Sequence, residues 1–293
     1  MTPRRMLVLL ATLLIGYLGA GLLVVLLMTG PKRKVPGATP ASVGLGYEVV
    51  EVQSTDGVTL SAWWVPVESS SGDSSRAAVL VPGWGGFKFD EHLLQTVPVY
   101  HGAGYGVLLL DLRAQGESGG ARRTLGYREV RDVRGALAWL RQQGYEAENV
   151  VLHGWSMGGA TALRAAPGTG VAAVVEEAGY GDLPLLLRGK LPEFVRFGRL
   201  LEPAIMLAGR LFPDFDSWDV VPKKQAAMLS NEGVPLFIIH STDDDVVPYE
   251  QAKILAGAYP EATFWKLYGY GHVEAYEHPE YTRRLLAFLN ISR

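Results

Sequence analysis

The chain has 293 residues, 48% of them hydrophobic and 19% charged, which is enough for one large core with an extra segment and little more. Its 27 basic and 30 acidic residues leave a net charge of −3, so the global balance makes no case for a nucleic-acid partner or a polyanionic substrate. The absence of cysteine excludes disulfides, thiolate-zinc sites and a cysteine nucleophile, and leaves the redox compartment open.

The amino terminus is the strongly biased segment. Residues 6–28 carry no charge and are dominated by Leu, Val and Ile, which is long enough for a helix to cross a hydrocarbon core of roughly 30 Å. Arg4 and Arg5 precede this run, and Lys32, Arg33 and Lys34 follow it. A secretory signal has a shorter apolar run and a small-residue cleavage site, neither of which fits the exit Met28-Thr29-Gly30-Pro31-Lys32. The expectation is an uncleaved single-pass membrane anchor over 1–34. The positive-inside rule leaves its orientation open, because the two basic flanks nearly balance. A linker over 35–46, broken by Pro36, Gly37, Pro40, Gly44 and Gly46, then leads to a soluble domain over 47–293.

Residues 47–53 alternate in the manner of a half-buried strand, Thr55-Asp56-Gly57 supplies turn chemistry, and 58–65 resumes the pattern, predicting an antiparallel hairpin. A Ser/Gly-rich surface loop follows over 68–75. Beyond it the apolar runs become continuous, at 77–81, 106–110, 149–152, 171–175, 234–239 and 262–267, as suits strands buried on both faces. Helical periodicity lies between them, as in 127–143 with Val130, Val133, Leu137 and Leu140, and in 250–258. Strand alternating with helix predicts an α/β fold, its mostly parallel sheet covered on both faces and its functional groups at the carboxyl ends of the strands. Residues 180–233 are too long for an ordinary connection and predict an inserted helical cap.

The chemistry concentrates at Gly154-Trp155-Ser156-Met157-Gly158, which follows the run at 149–152 and precedes the helix-compatible 159–166. A Gly-x-Ser-x-Gly pattern is common by chance, but at a strand-to-helix turn it marks a nucleophilic serine held in a strained backbone. Such a serine needs a base to accept its proton and a carboxylate to orient that base. His272, in the flexible turn Gly269-Tyr270-Gly271-His272 past the last strand, is the preferred base. His278, beside Pro279, is read as a solvent-facing residue at the start of the final helix. The acid lies in His240-Ser241-Thr242-Asp243-Asp244-Asp245-Val246-Val247-Pro248, where three adjacent aspartates leave the choice open.

These residues resemble the α/β-hydrolase superfamily, in particular its branch of esterases, lipases and serine-aminopeptidase-like enzymes. That branch has His-Gly-x-x-Asp-x-x-Val-Pro at the acid loop, and the spacing from His240 to Val247-Pro248 places the acid on Asp244. Asp243 and Asp245 become loop-capping or solvated charges. Val81-Pro82-Gly83-Trp84-Gly85-Gly86 resembles the oxyanion loop His-Gly-x-Gly, implying that the backbone amide of Trp84 joins that of Met157 as oxyanion donors. Asp111-Leu112-Arg113-Ala114-Gln115-Gly116-Glu117-Ser118 resembles the supporting loop Asp-x-Arg-Gly-His-Gly-x-Ser. The resemblance runs from Tyr47 to the carboxyl end with five motifs in order. It departs where Pro82 replaces histidine, Ala114-Gln115 replaces Gly-His and Ser241 replaces glycine.

What the resemblance implies is an α/β-hydrolase fold and a Ser156-Asp244-His272 triad acting through an acyl-enzyme, without metal or organic cofactor. The expected substrate is a small-molecule or lipid-like ester with hydrophobic groups, suggested by Phe194, Phe197, Leu200, Ile205 and Met206 in the cap. A serine peptidase is the alternative, with Glu176, Glu177 or Arg188 as recognition groups; a thioesterase shares the machinery, and a non-catalytic binding protein is the reading from another class. Glu176 and Glu177 are otherwise expected at a solvated strand end. The anchor is expected to touch the lipid bilayer and not the catalytic core, so that removing 1–34 leaves small-ester hydrolysis intact.

Overall fold

The computed structural model describes residues 2–67, 75–211 and 215–291; the predicted surface loop at 68–75 lies outside them except for Ser75. The chain opens with α1 (Pro3–Thr29), a single helix without a charged residue after Arg5. It is long and apolar enough to cross a membrane, and only 11% of its most apolar window is buried within the protein.

Strands β1 (Glu48–Gln53) and β2 (Thr59–Val65) pair antiparallel with Val52 opposite Leu60, as the hairpin pattern predicts. The continuous apolar runs become β3 (Arg76–Val81), β4 (Tyr105–Leu110), β5 (Val150–Trp155), β6 (Ala173–Glu177), β7 (Leu236–Ser241) and β8 (Thr263–Leu267). The eight strands form one sheet in the order β1-β2-β4-β3-β5-β6-β7-β8. From β4 to β8 every pairing is parallel, whereas β2 joins β4 antiparallel.

Parallel strands need crossovers, and helices supply them on both faces. Along β5 the alternation is visible: Val150 and Leu152 enter one apolar layer, Val151 and Trp155 the other. The first layer is closed by α3 (Val130–Gln142), α4 (Met157–Ala165), α7 (Pro222–Glu232) and α8 (Glu250–Ala258), and the second by α2 (Glu91–Gly102) and α9 (Tyr281–Ile291).

Between β6 and β7 the chain forms α5 (Leu183–Phe194) and α6 (Gly198–Leu211) before reaching α7. Helix α7 is an ordinary crossover helix, since its Ala226 and Leu229 sit in the layer against α4. The helices standing apart from the sheet are therefore α5 and α6, a shorter stretch than the predicted 180–233.

Two expectations about the amino-terminal region are corrected. Helix α1 is not separate from the domain that follows it: Gly21 lies so close to Ala204 of α6 that a Cβ would come within 2.5 Å of its carbonyl carbon. Val25 is buried with Leu191, Ile205, Met206 and Phe215, and the Tyr17 hydroxyl donates to Leu200 O at 2.8 Å. The linker is not a free spacer either, because Pro40–Val43 forms a short 3-10 turn and Val43 and Leu45 pack on the layer beneath α2. An apolar surface outweighs glycine and proline punctuation whenever it finds a complementary face.

Candidate active site

Ser156 stands at the turn from β5 to α4 with φ 56° and ψ −124°, a conformation unfavourable for a side-chain-bearing residue. Its neighbours explain how the turn closes: a Cβ on Gly154 would collide with the backbone of Gly158 and Gly159, and one on Gly158 with the carbonyls of Val81 and Pro82. Ser156 N donates to Glu177 O at 2.8 Å, locking the elbow to β6. Met157 N lies in the first turn of α4, where amides lack intrahelical partners and favour negative charge.

The loop after β3 passes directly over the serine. A Cβ on Gly83 would stand 3.2 Å from Ser156 Cβ and 3.7 Å from its Oγ, so the loop approaches Ser156 at the residue before Trp84. Residues 83–86 form a turn in which Gly86 N donates to Gly83 O at 3.0 Å, and Gly85 supplies the positive φ of 69°. Gln115, which departs from the family pattern, clamps this turn. Its Oε1 accepts from Gly85 N at 2.5 Å, while Nε2 donates to Gly83 O at 3.2 Å and Gly86 O at 3.1 Å.

Asp244 and His272 are brought together from the loops after β7 and β8. Asp244 Oδ2 lies 2.7 Å from His272 Nδ1, and Oδ1 accepts from Val246 N at 2.9 Å and Val247 N at 2.8 Å. The Asp244 side chain is fully buried, whereas His272 retains 18% exposure and can be reached from solvent. The flanking aspartates behave as the register predicts. Asp243 is exposed and accepts from Gly269 N at 2.8 Å, and this interaction, with one from Thr242, holds its carboxyl low. Asp245 uses its carbonyl, which accepts from Lys190 of α5 at 2.6 Å.

Sequence reasoning missed several supports. Lys88, completely buried, donates to Asp111 Oδ2 at 2.8 Å, Ser61 Oγ at 2.7 Å and Glu117 Oε2 at 2.7 Å, joining the loop after β3 to the loop after β4. Removing one partner of such a buried pair leaves an uncompensated charge, so the loop's position depends on it. His240 stands behind Asp244, 3.5 Å from Oδ2, and its Nε2 donates to Val247 O at 2.8 Å. Burial pushes it below the usual imidazole range and keeps it neutral. Burial, with His272 nearby, likewise lowers His92 to about 3. A lone histidine in a run such as Glu91-His92-Leu93 carries no signal that it will reach this site. His278 is half-buried against Trp265 and Tyr270, and its Nδ1 accepts from Glu280 N at 3.0 Å, so it is less solvent-facing than expected.

Glu176 and Glu177 are also corrected. Both are fully buried, and strand alternation turns them to opposite faces of the sheet. Glu176 lies against Gly159 and Gly179 beneath the elbow; Glu177 accepts from the Tyr281 hydroxyl at 3.2 Å. Burial raises each carboxyl to about 8. Since the unfolded chain releases these protons near 4.5, the folded state binds more protons between pH 4.5 and 8, and stability falls as pH rises through that window. Glutamine has no such proton. The melting temperature of Glu176→Gln relative to the parent is therefore expected to climb from pH 5 to pH 9, and a constant difference across a calorimetric pH series would show an ordinary, ionised carboxylate.

Residues 78–285 match the alpha/beta hydrolase family. The chain belongs to that family. The alpha/beta hydrolase is 25% identical over 228 residues to the uncharacterized protein YfhR of Salmonella typhimurium, covering 77% of this chain and 72% of that one. Its fold superposes on an esterase of Pyrococcus furiosus with a TM-score of 0.71 and 22% identity, covering 90% of this chain and 98% of the other. It also resembles a puromycin-hydrolyzing peptidase of Mycobacterium tuberculosis, with a TM-score of 0.63 and 18% identity over 85% of this chain and 39% of the peptidase. At such identities the structural likenesses establish the fold. Membership of the family makes the protein a hydrolase.

Proposed function

We propose that this hydrolase is a serine esterase that cleaves carboxylic esters through an acyl-enzyme. The observation that carries the reading is the 2.7 Å contact between His272 Nδ1 and Asp244 Oδ2, on the same rim of the sheet as the strained elbow of Ser156. With Nδ1–H engaged by the carboxylate, His272 Nε2 is free to take the Ser156 proton as Oγ attacks the ester carbonyl. The amides of Trp84 and Met157 receive the developing oxyanion, and His272 returns the proton to the departing alcohol. Water then attacks the acyl-enzyme with His272 again as base, releasing the acid and restoring Ser156.

The peptidase alternative loses support from its own candidate groups. Glu176 and Glu177, neutral and buried, offer no anion to a substrate amine. Arg188 stacks on Trp218 at 4.9 Å and lies 4.0 Å from Glu202 on the outer face of the cap. The cap residues first read as an acyl site are also occupied differently. Ile205 and Met206 pack against α1, Phe197 and Leu200 are exposed, and the side chain of Phe194 lies outside the described residues.

The same reading makes α1 a membrane anchor. Residues 3–16, all exposed, extend about 21 Å, short of the roughly 30 Å of hydrocarbon. A crossing therefore takes the start of α6 into the leaflet, where Phe197 and Leu200 are 66% and 67% exposed. The long stems of Arg196 and Arg199 return their charges toward the headgroups. Full-length protein, retained in membranes after an alkaline carbonate wash, is expected to hydrolyse p-nitrophenyl butyrate with a kcat/KM at least tenfold above that for leucine p-nitroanilide. Release by the wash would refute the anchor, and the opposite substrate preference would refute the esterase.

A further inference from the structure

We propose that the exit of the amino-terminal helix, residues 29–32, is a working part of the oxyanion loop, with Lys32 as a positioning residue for residues 83–86. The inference rests on the serine-hydrolase reading and adds to it a component outside the family's matched region, 78–285.

The turn at 83–86 is held from two sides. Gln115 takes Gly83 O, Gly85 N and Gly86 O, and the remaining Gly85 O accepts from Lys32 Nζ at 2.7 Å. Lys32 is itself fixed by its backbone: its N donates to Ala114 O at 2.8 Å and its O accepts from Gly116 N at 3.0 Å, a parallel bridge across Gln115. Lysine and glutamine therefore belong to one bracket closed around the turn. A Cβ at Gly85 would stand 2.9 Å from Arg123 Nη1 and 3.1 Å from Lys32 Nζ, so both cations lie against this glycine, whose φ of 69° favours it there.

Arg123 completes the connection. Its guanidinium lies 4.8 Å from the centre of the Trp84 ring and donates to Gly30 O at 2.6 Å and Met28 O at 3.1 Å, satisfying carbonyls that α1 leaves unpaired as it ends. Arg122 adds donations to Leu26 O and Thr29 Oγ1, both at 3.2 Å. The end of α1 is thus bonded through Arg123 to the side chain of the proposed oxyanion donor Trp84, and through Lys32 to the next residue. Oxyanion donors act by being fixed before charge develops, and a displacement of about 1 Å costs on the order of a hundredfold. On this proposal residues 1–34 are not dispensable for hydrolysis of a small ester.

The test uses full-length enzyme in detergent with p-nitrophenyl butyrate. Lys32→Met is expected to lower kcat about ten- to a hundredfold with KM within about twofold and an unchanged melting temperature, and to slow labelling by a fluorophosphonate in proportion. Lys32→Arg, which keeps a charged donor, should recover at least a third of the lost rate. Lys34→Met removes an equal charge, one that rests on the Phe87 and Phe89 rings and not on the turn, and should leave kcat unchanged. If Lys32→Met fails to fold, Lys32→Gln and Lys32→Arg carry the comparison, with the glutamine variant expected at least threefold lower in kcat. A folded Lys32→Met enzyme with the parental kcat, a change confined to KM, or equal rates for the glutamine and arginine variants would overturn the role of Lys32. Failure of the underlying reading would look different, because Ser156→Ala would then retain the fluorophosphonate label.

Discussion

Ser156→Ala is expected to lower kcat by roughly 10⁶-fold and to remove all labelling by a fluorophosphonate, since in the proposed mechanism the deleted hydroxyl is the atom that forms the acyl-enzyme. Stability should change by no more than about 0.5 kcal/mol, because the elbow is held by contacts the substitution leaves alone. The close approach of Gly154 to Gly158, and of Gly158 to Val81 and Pro82, involves backbone, as does the bond from Ser156 N to Glu177 O. Alanine also tolerates the φ of 56° no worse than serine does. Intact-mass detection of probe on purified Ser156→Ala protein, with calorimetry on the same sample, decides the matter. A labelled, folded alanine variant would place the nucleophile elsewhere.

Asp244→Asn is expected to cost about 10⁴-fold in kcat. The carbonyl of asparagine can still accept from Val246 and Val247, so the loop keeps its shape, but the amide then turns its N–H groups toward His272 Nδ1. The imidazole proton is driven to Nε2, where it blocks acceptance of the serine proton. The neighbouring aspartates provide the contrast. Asp243→Asn retains an acceptor for Gly269 N, and Asp245→Asn leaves untouched the carbonyl that Lys190 uses, so both should stay within a few-fold of the parent. Steady-state rates for the three variants, measured on one ester, should separate Asp244 by at least three orders of magnitude. Equal losses at all three would show that the acid is assigned to the wrong position.

Much of the site was legible because its parts are local. Gly154 and Gly158 flank Ser156 because the turn leaves no room for a Cβ, and that requirement is written within five residues. The family resemblance implied the acid register through His240 and Val247-Pro248, and the contacts between those residues explain the spacing: His240 Nε2 donates to Val247 O while Val247 N donates to Asp244. Strand periodicity located the sheet for the same reason, since burial on one face or two depends on side-chain type along a short segment.

What stayed hidden depends on contacts between residues far apart in the chain. Lys88 reads as one polar residue between Phe87 and Phe89, yet it is buried against Asp111, and no local pattern encodes that partnership. Glu176 and Glu177 looked like a solvated strand end because carboxylates are costly to bury; the tertiary structure encloses both faces of β6 there and burial favours their neutral forms. Gln115 counted as a departure from the family pattern until the turn at 83–86 was seen around its amide.

By itself the sequence determined the elements and the α/β class, which follow from short-range periodicity, and the turn at Ser156, which follows from steric demand, while Asp244 and the proposed oxyanion donors were implied by the family resemblance. Only the tertiary structure decided that α1 lies on α6 and that Lys32 and Arg123 connect its exit to the turn at 83–86. An apolar helix between basic flanks specifies its own length and solvent preference, but the carbonyls at its end and the groove beside it acquire partners only when the chain folds back.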